Sequence, residues 1–237
     1  MSDMAEAASS GTRGVLYIVA TPIGNLEDIT LRAIRILKEV DLIACEDTRQ
    51  TLKILAKYGI RKRLLSYFQP REKQRVSQIM GFLNAGQNIA LVSDAGTPGL
   101  SDPGFRLIQE SILQGIPIVP VPGASAVTSA LTASGLPTHR FLFLGFPPPK
   151  RQKAKNLLLS LAREEGTIIF YLPPRKLAVF LEIIRETLGN RRIVIARELT
   201  KIYEEFIRGN AEQLAESLKS RALKGEATLL IEGFKRK

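Results

Sequence analysis

The chain has 237 residues, of which 45% are hydrophobic and 24% charged. Those proportions belong to an ordinary globular protein and exclude a mostly disordered chain, a collagen or a coiled coil. Lys and Arg number 34 against 23 Asp and Glu, a net charge of +11. A balance so basic favours a polyanionic partner, nucleic acid or an anionic membrane surface, with nucleic acid ahead of a merely basic, solvated surface. A single cysteine, Cys45, excludes an internal disulfide and a multi-cysteine metal cluster. A single histidine, His139, argues against a zinc site, which wants about four N, S or O ligands, so no metal is expected. No apolar run reaches the roughly 18–20 residues of a membrane span. Residues 1–12 read as a loose tail without the basic start and apolar core of a secretory signal. With the lone thiol, these features predict a cytoplasmic protein.

In chain order, Val15-Leu16-Tyr17-Ile18-Val19-Ala20 reads as a buried strand running into the turn Thr21-Pro22-Ile23-Gly24-Asn25. Leu31, Ile34, Ile36 and Leu37 give residues 30–40 a helical spacing, with Asp28 or Thr30 as cap. A strand is predicted at 41–45 and a helix at 48–58, stopped by Gly59. A strand at 64–67, a helix at 72–85 and a strand at 88–93 follow. The loop Asp94-Ala95-Gly96-Thr97-Pro98-Gly99 comes next, then a helix at 105–113, a strand at 116–121 and a small-residue helix at 124–133. Such strand–helix alternation with uniformly apolar strands predicts a parallel sheet covered on both faces.

The pattern changes after Gly135-Leu136-Pro137. Strand-like segments at 141–144, 167–172, 193–196, 203–208 and 227–232 are joined by helices at 150–163, 175–188 and 211–223. The third and fourth of those strands follow each other directly, which predicts a mixed sheet. The expected organisation is therefore a tail at 1–12, an α/β domain at 13–136 and a second α/β domain at 137–237.

Ligands of open parallel sheets bind beyond the carboxyl ends of the strands. Three loops in that position are rich in Gly, Pro and small polar residues: 21–25, 94–104 and 122–126. Any one of them could be an ordinary tight turn, but three at strand ends favour a shared site. The chain lacks a G-x-G-x-x-G fingerprint, a Walker A loop and a G-x-S-x-G elbow. Dinucleotide binding, P-loop hydrolysis and serine hydrolysis are thereby disfavoured. His139 reads as a structural or surface residue.

The string Val92-Ser93-Asp94-Ala95-Gly96-Thr97-Pro98-Gly99-Leu100-Ser101-Asp102-Pro103-Gly104 is more specific. With residues 20–30, Ala44-Cys45-Glu46-Asp47-Thr48-Arg49, residues 121–126 and Ala196-Arg197-Glu198-Leu199-Thr200-Lys201, it resembles the tetrapyrrole methylase-like (class III) S-adenosylmethionine methyltransferases. The likeness is to the branch acting on small-subunit ribosomal RNA and spans about residues 14–234. It implies two α/β domains, the N-terminal sheet mainly parallel and the C-terminal one mixed, with S-adenosylmethionine in the cleft between them. It further implies 2′-O-methylation of a cytidine ribose in the decoding region of 16S rRNA, with naked rRNA or the small ribosomal subunit as partner, and a homodimer.

By the same resemblance, cofactor contacts are expected from Pro22, Asp94, Gly96, Thr97, Leu100, Ser125 and Ala126. In the second domain they are expected from Leu172, Leu199, Ala227 and Thr228. The chain departs from that family twice, at Ser66-Tyr67-Phe68-Gln69-Pro70-Arg71 and at Leu172-Pro173-Pro174-Arg175, where relatives often carry histidines.

Methyl transfer from a sulfonium is an in-line displacement helped by positioning and by a base or cation at the weakly acidic ribose hydroxyl. Glu46 and Asp47, at a strand end, are the candidate bases, although a helix cap explains Asp47 equally well. Lys201 is the candidate cation, with a surface ion pair as the alternative. Arg49, Lys150, Arg151, Lys153 and Lys155 are the candidate RNA contacts, joined by the basic run Arg61-Lys62-Arg63. Two other functions fit the same pattern: a tetrapyrrole C-methyltransferase of the same fold, and a non-catalytic ribosome-binding module.

Overall fold

The computed structural model describes residues 13–67, 72–218, 221 and 223–235. The predicted tail at 1–12 and most of the departing segment, 68–71, lie outside the described residues. The described chain divides into two compact units. The first comprises the chain up to Pro22 and Leu26–Ala124, and the second Ile23–Asn25 and everything from Ser125 on.

The first unit is built on five parallel strands: β1 (Leu16–Val19), β2 (Leu42–Cys45), β3 (Arg63–Ser66), β4 (Ile89–Val92) and β5 (Ile118–Val121). Their order across the sheet is β3-β2-β4-β1-β5. The strands are short and apolar because both faces are covered. In β2, Ile43 and Cys45 pack on one side with Ile36, Leu37 and Ile54 of α1 (Leu31–Glu39) and α2 (Thr48–Lys57). Leu42 and Ala44 point the other way, onto Ile79, Leu83 and Leu107 of α3 (Glu72–Asn84) and α4 (Phe105–Leu113). This is the period-two alternation of a strand with core on both sides. Thr30 caps α1 by accepting the Ala33 amide, and Asp47 caps α2 by accepting the Arg49 amide. Gly59, Gly86 and Gly115 follow their helices with positive φ, as stop signals should.

The second unit carries a mixed sheet of order β6-β7-β10-β8-β9. Its strands are β6 (Phe141–Phe143), β7 (Thr167–Tyr171), β8 (Arg192–Arg197), β9 (Glu205–Asn210) and β10 (Ala227–Ile231). Only the β6–β7 pair is parallel; β7–β10, β10–β8 and β8–β9 are antiparallel. Ile168, Phe170, Ile193, Ile195, Leu229 and Ile231 face a core shared with α6 (Arg151–Ser160), α7 (Leu177–Leu188) and α8 (Ala211–Ser217). Asn210 and Gln213 form a capping box on α8.

The sequence boundary after Leu136 differs from this division. The small-residue helix α5 (Ala126–Ser134) lies against β10 and β8 and so joins the second unit. Its buried side chains are Val127, Ala130, Leu131 and Ser134. Residues this small let a helix pack closely on a sheet, but nothing in them tells which sheet. The segment Ile23–Asn25 also belongs to the second unit, because the Asn25 amide donates to Thr200 Oγ1 at 3.0 Å.

Candidate active site

All five strands of the first sheet are parallel, so their carboxyl ends share one edge. Hydrogen bonds join the loops there. The Thr21 amide donates to the Gly96 carbonyl at 2.8 Å and the Gly96 amide to the Thr21 carbonyl at 3.0 Å. The buried Thr21 hydroxyl donates to the Ser93 carbonyl, and the Ser93 hydroxyl to that of Gly96 at 3.2 Å. Thr97 Oγ1 donates to the Ala124 carbonyl at 3.4 Å, which ties in the end of β5. The Asp47 amide donates to Asp94 Oδ1 at 2.9 Å, which ties in the end of β2. Pro22, Asp94, Gly96, Thr97 and Leu100, expected from the sequence at a ligand site, thus lie on loops of one sheet edge. Gly96 has φ 82 and Gly99 φ 84, values that glycine adopts without steric cost.

The carboxylates at this edge are not alike. Asp47 binds the Arg49 amide and guanidinium, and those bonds hold its pKa down at about 2. The cap expected as its alternative role is the one it fills. Arg49, expected to hold phosphate, spends its guanidinium on Asp47 while its side chain stays 86% exposed. Glu46 makes no such pair. Burial raises its pKa first, and Asp94, Asp102 and Asp47 raise it further. Asp102, not singled out by sequence, is pushed up to about 6 by burial and then by Asp94, against a hydrogen bond with Ser93. Cys45 is buried with its thiol pKa raised, chiefly by that burial, the state of an unreactive thiol. Among the described residues no group of three or more His, Cys, Asp or Glu is placed to hold a metal.

In the second unit the ends of β7 and β8 and the start of β10 share one edge, since β10 runs antiparallel to both. The Leu172 amide donates to the Ala227 carbonyl, and Thr228 pairs with Tyr171 and Ala196. Leu172, Leu199, Ala227 and Thr228 are all buried. Beyond α5 the chain reaches Pro137, whose carbonyl accepts from Thr167 Oγ1 at the start of β7. The chain just beyond the C-terminal end of α5 is therefore at the far edge of this sheet. Ser125 is extended at the N-cap but makes no side-chain cap bond, so first-turn N–H groups remain as donors.

Lys201 stands at this edge between two carboxylates. Nζ is 3.0 Å from Glu198 Oε1 and 2.9 Å from Glu226 Oε2. Burial lowers its pKa, but the bonds and charges of Glu226 and Glu198 outweigh it and leave the pKa raised. The candidate cation is therefore a paired and protonated one.

The basic helix is also partly paired. Arg151 and Lys155 of α6 bind the two oxygens of Glu186 on α7, at 2.7 and 3.2 Å. Lys150 and Lys153 are exposed. Of the run 61–63, Arg63 lies over the Phe82 ring at 5.3 Å.

Three comparisons bear on this architecture. Residues 15–215 match the family model of the Tetrapyrrole (Corrin/Porphyrin) Methylases. A protein of Halalkalibacterium halodurans named Ribosomal RNA small subunit methyltransferase I is 47% identical over 93% of this chain and 76% of its own. A protein of the same name from Hydrogenobaculum is 49% identical over 91% of this chain and 94% of its own. Among solved structures, a cobalt precorrin-4 methyltransferase superposes with a TM-score of 0.68 at 17% identity, covering 92% of this chain and 94% of that one. That likeness concerns the fold. With the family model matched over most of its length and relatives near half identical throughout, the chain belongs to the tetrapyrrole (corrin/porphyrin) methylase family, alongside the proteins named ribosomal RNA small subunit methyltransferase I.

Proposed function

We propose that this chain is an S-adenosylmethionine-dependent rRNA methyltransferase whose acceptor is the ribose 2′-oxygen of a cytidine in the decoding region of 16S rRNA. The observation that carries this reading is the 45–49% identity, over at least 91% of the chain, to proteins named for methylation of small-subunit ribosomal RNA. The net charge of +11 supports it, since rRNA is a polyanion. Tetrapyrrole-modifying neighbours share the fold at 17–20% identity, which carries no substrate.

The residues present suit the cofactor. It has an amino-acid end that needs both donors and acceptors, and a nucleoside end that needs backbone approach. Asp94 offers a carboxylate with one oxygen fixed by the Asp47 amide. The left-handed turn at Gly96 offers bare backbone. A Cβ on Gly123 would lie 3.0 Å from Ala20 Cβ, so the loops after β1 and β5 approach as glycine permits. When bound, S-adenosylmethionine supplies a methyl group on a positively charged sulfur.

Within this reading Glu46, and not Asp47, takes the ribose proton, because burial and neighbouring carboxylates raise its proton affinity while Arg49 occupies Asp47. Lys201 presents an ammonium to substrate oxygen or phosphate. Lys150 and Lys153 contact RNA backbone. Two copies of the chain assemble as a homodimer.

The test is incubation of 16S rRNA, of small subunits and, in parallel, of a tetrapyrrole acceptor with the protein and methyl-labelled cofactor. Label in the rRNA is expected. Cofactor binding without transfer would indicate a ribosome-binding module, and label entering only a tetrapyrrole acceptor would indicate the other branch of the family.

A further inference from the structure

The connection between β8 and β9 is more constrained than a strand-to-strand link requires. Glu198 has φ 50 and Thr200 φ 64; with Ser101 these are the non-glycine positive-φ residues among the described ones. Left-handed backbone is sterically costly for such residues and persists where surrounding contacts enforce it.

Those contacts converge on one side chain. The left-handed turn at Glu198 lays its carboxylate over Gly225, itself at φ 91, where a Cβ would come within 2.3 Å of Oε1. Oε1 accepts from the Glu226 amide at 2.9 Å and from Lys201 Nζ at 3.0 Å. The stem of Lys201 passes Gly24, where a Cβ would lie 2.5 Å from its Cγ. Thr200 is held through its hydroxyl by the Asn25 amide, and its own amide donates to Glu204 at 2.6 Å. Lys201 is thus fixed at its stem and at its head. Its two carboxylate partners differ: the Glu198 side chain is 16% exposed and that of Glu226 78%. An exposed ion pair is screened and contributes little, whereas a partly buried carboxylate held by a backbone amide on a fixed turn sets a direction.

We propose that Glu198 is a positioning residue for Lys201, holding its ammonium in the orientation the reaction needs, and that Glu226 is only a surface partner. The inference rests on the reading of Lys201 as a substrate-facing cation. Glu198 itself touches no reacting atom. A purely structural role, closing the link between β8 and β9, would make its loss a matter of stability.

The test compares Glu198→Gln, Glu226→Gln, Lys201→Met and the double variant Glu198→Gln/Lys201→Met. Each is measured for single-turnover methylation of small-subunit rRNA, RNA and cofactor affinity, and thermal melting. In Glu198→Gln the amide oxygen would still accept from the Glu226 amide but present no charge to Lys201. Glu198→Gln should slow the chemical step by about tenfold or more with both affinities within about twofold, and Glu226→Gln should leave the rate within about threefold. The double variant should be no slower than Lys201→Met, because the two residues act as a unit.

A normal rate in Glu198→Gln, with Lys201→Met slow, would overturn the positioning role and leave the reading of Lys201 standing. Multiplicative effects in the double variant would also overturn it. A normal rate in Lys201→Met would remove the reading of Lys201 and this inference with it. If Glu198→Gln does not fold, Glu198→Asp serves instead: it keeps the charge but withdraws it from Nζ. Its slowing at unchanged affinity supports the role, and a normal rate overturns it.

Discussion

Thr21 and Gly96 exchange two backbone hydrogen bonds, at 2.8 and 3.0 Å, which makes the loops after β1 and β4 a single piece. The buried Thr21 hydroxyl adds a third tie, to the Ser93 carbonyl. Gly96 can join this arrangement because φ 82 suits glycine. Gly96→Val introduces a β-branched side chain at that φ. The expected result is a folded protein whose cofactor affinity falls by more than about tenfold, a loss of about 1.4 kcal/mol or more, with RNA affinity little changed. Calorimetric titration and a thermal melt check it. A folded variant with normal affinity would exclude this loop from the site.

Glu46 and Asp47 are adjacent in sequence but differ in their partners, so their substitutions should differ. Glu46→Gln is expected to lower the single-turnover rate by about a hundredfold, the usual scale for a general base, with little change in binding. Because a base works when ionised, the wild-type rate should rise with pH through the raised pKa of Glu46 and then level off; the variant should lose that limb. Asp47→Ala should lower the melting temperature through the lost α2 cap and leave the rate of the folded protein near normal.

Asp102 gives a stability signature. Its folded pKa of about 6 lies above an ordinary value of 3.8, so the native state holds the proton more tightly. Its contribution is fully present below about pH 4 and is lost as pH rises through about 6. Asp102→Asn, always neutral, should melt higher than wild type above pH 6 and alike near pH 4. Two pKa steps at about 1.36 kcal/mol each set the ceiling, and screening at this half-buried group reduces it to on the order of 1 kcal/mol. Melting curves across pH 4–8 check this; a constant difference over that range would contradict it.

The four cations of α6 and its cap should also separate. Arg151 and Lys155 share Glu186, whereas Lys150 and Lys153 are exposed. Replacing Lys150 and Lys153 by Ala should flatten the salt dependence of RNA binding by about 0.7 in slope for each phosphate that is no longer neutralised. Arg151→Ala and Lys155→Ala should cost less, since each leaves Glu186 to the other cation. Affinities measured across a salt series decide it, and an unchanged slope in the Lys150/Lys153 variant would exclude α6 from RNA binding.

Much of the first unit was legible because strands covered on both faces are continuous apolar runs; residues 42–45 and 89–92 could hardly be anything else. Helix ends were legible where a cap or glycine marks them, as at Thr30, Asp47 and Gly59. The mixed character of the second sheet showed in two strands, β8 and β9, with no helix between them. What stayed hidden depends on partners distant in sequence. The association of α5 with β8 and β10 is not encoded in its small residues. The seat of Lys201 needs Gly24 and Gly225, which no spacing links to it. The proton affinity of Asp102 is set by burial and by Asp94, neither of which its place in a Gly- and Pro-rich loop discloses.

The position of the transferred methyl group distinguishes ribose methylation from every alternative acceptor. A ribose 2′-O-methyl group protects the following phosphodiester from alkali, because that hydroxyl is the nucleophile of alkaline cleavage. Small-subunit rRNA methylated with labelled cofactor and digested in alkali should yield the label in an alkali-resistant dinucleotide beginning with cytidine, mapped to the decoding region. Label released in ordinary mononucleotides would place the methyl on a base, and the absence of label from rRNA would contradict the assignment altogether.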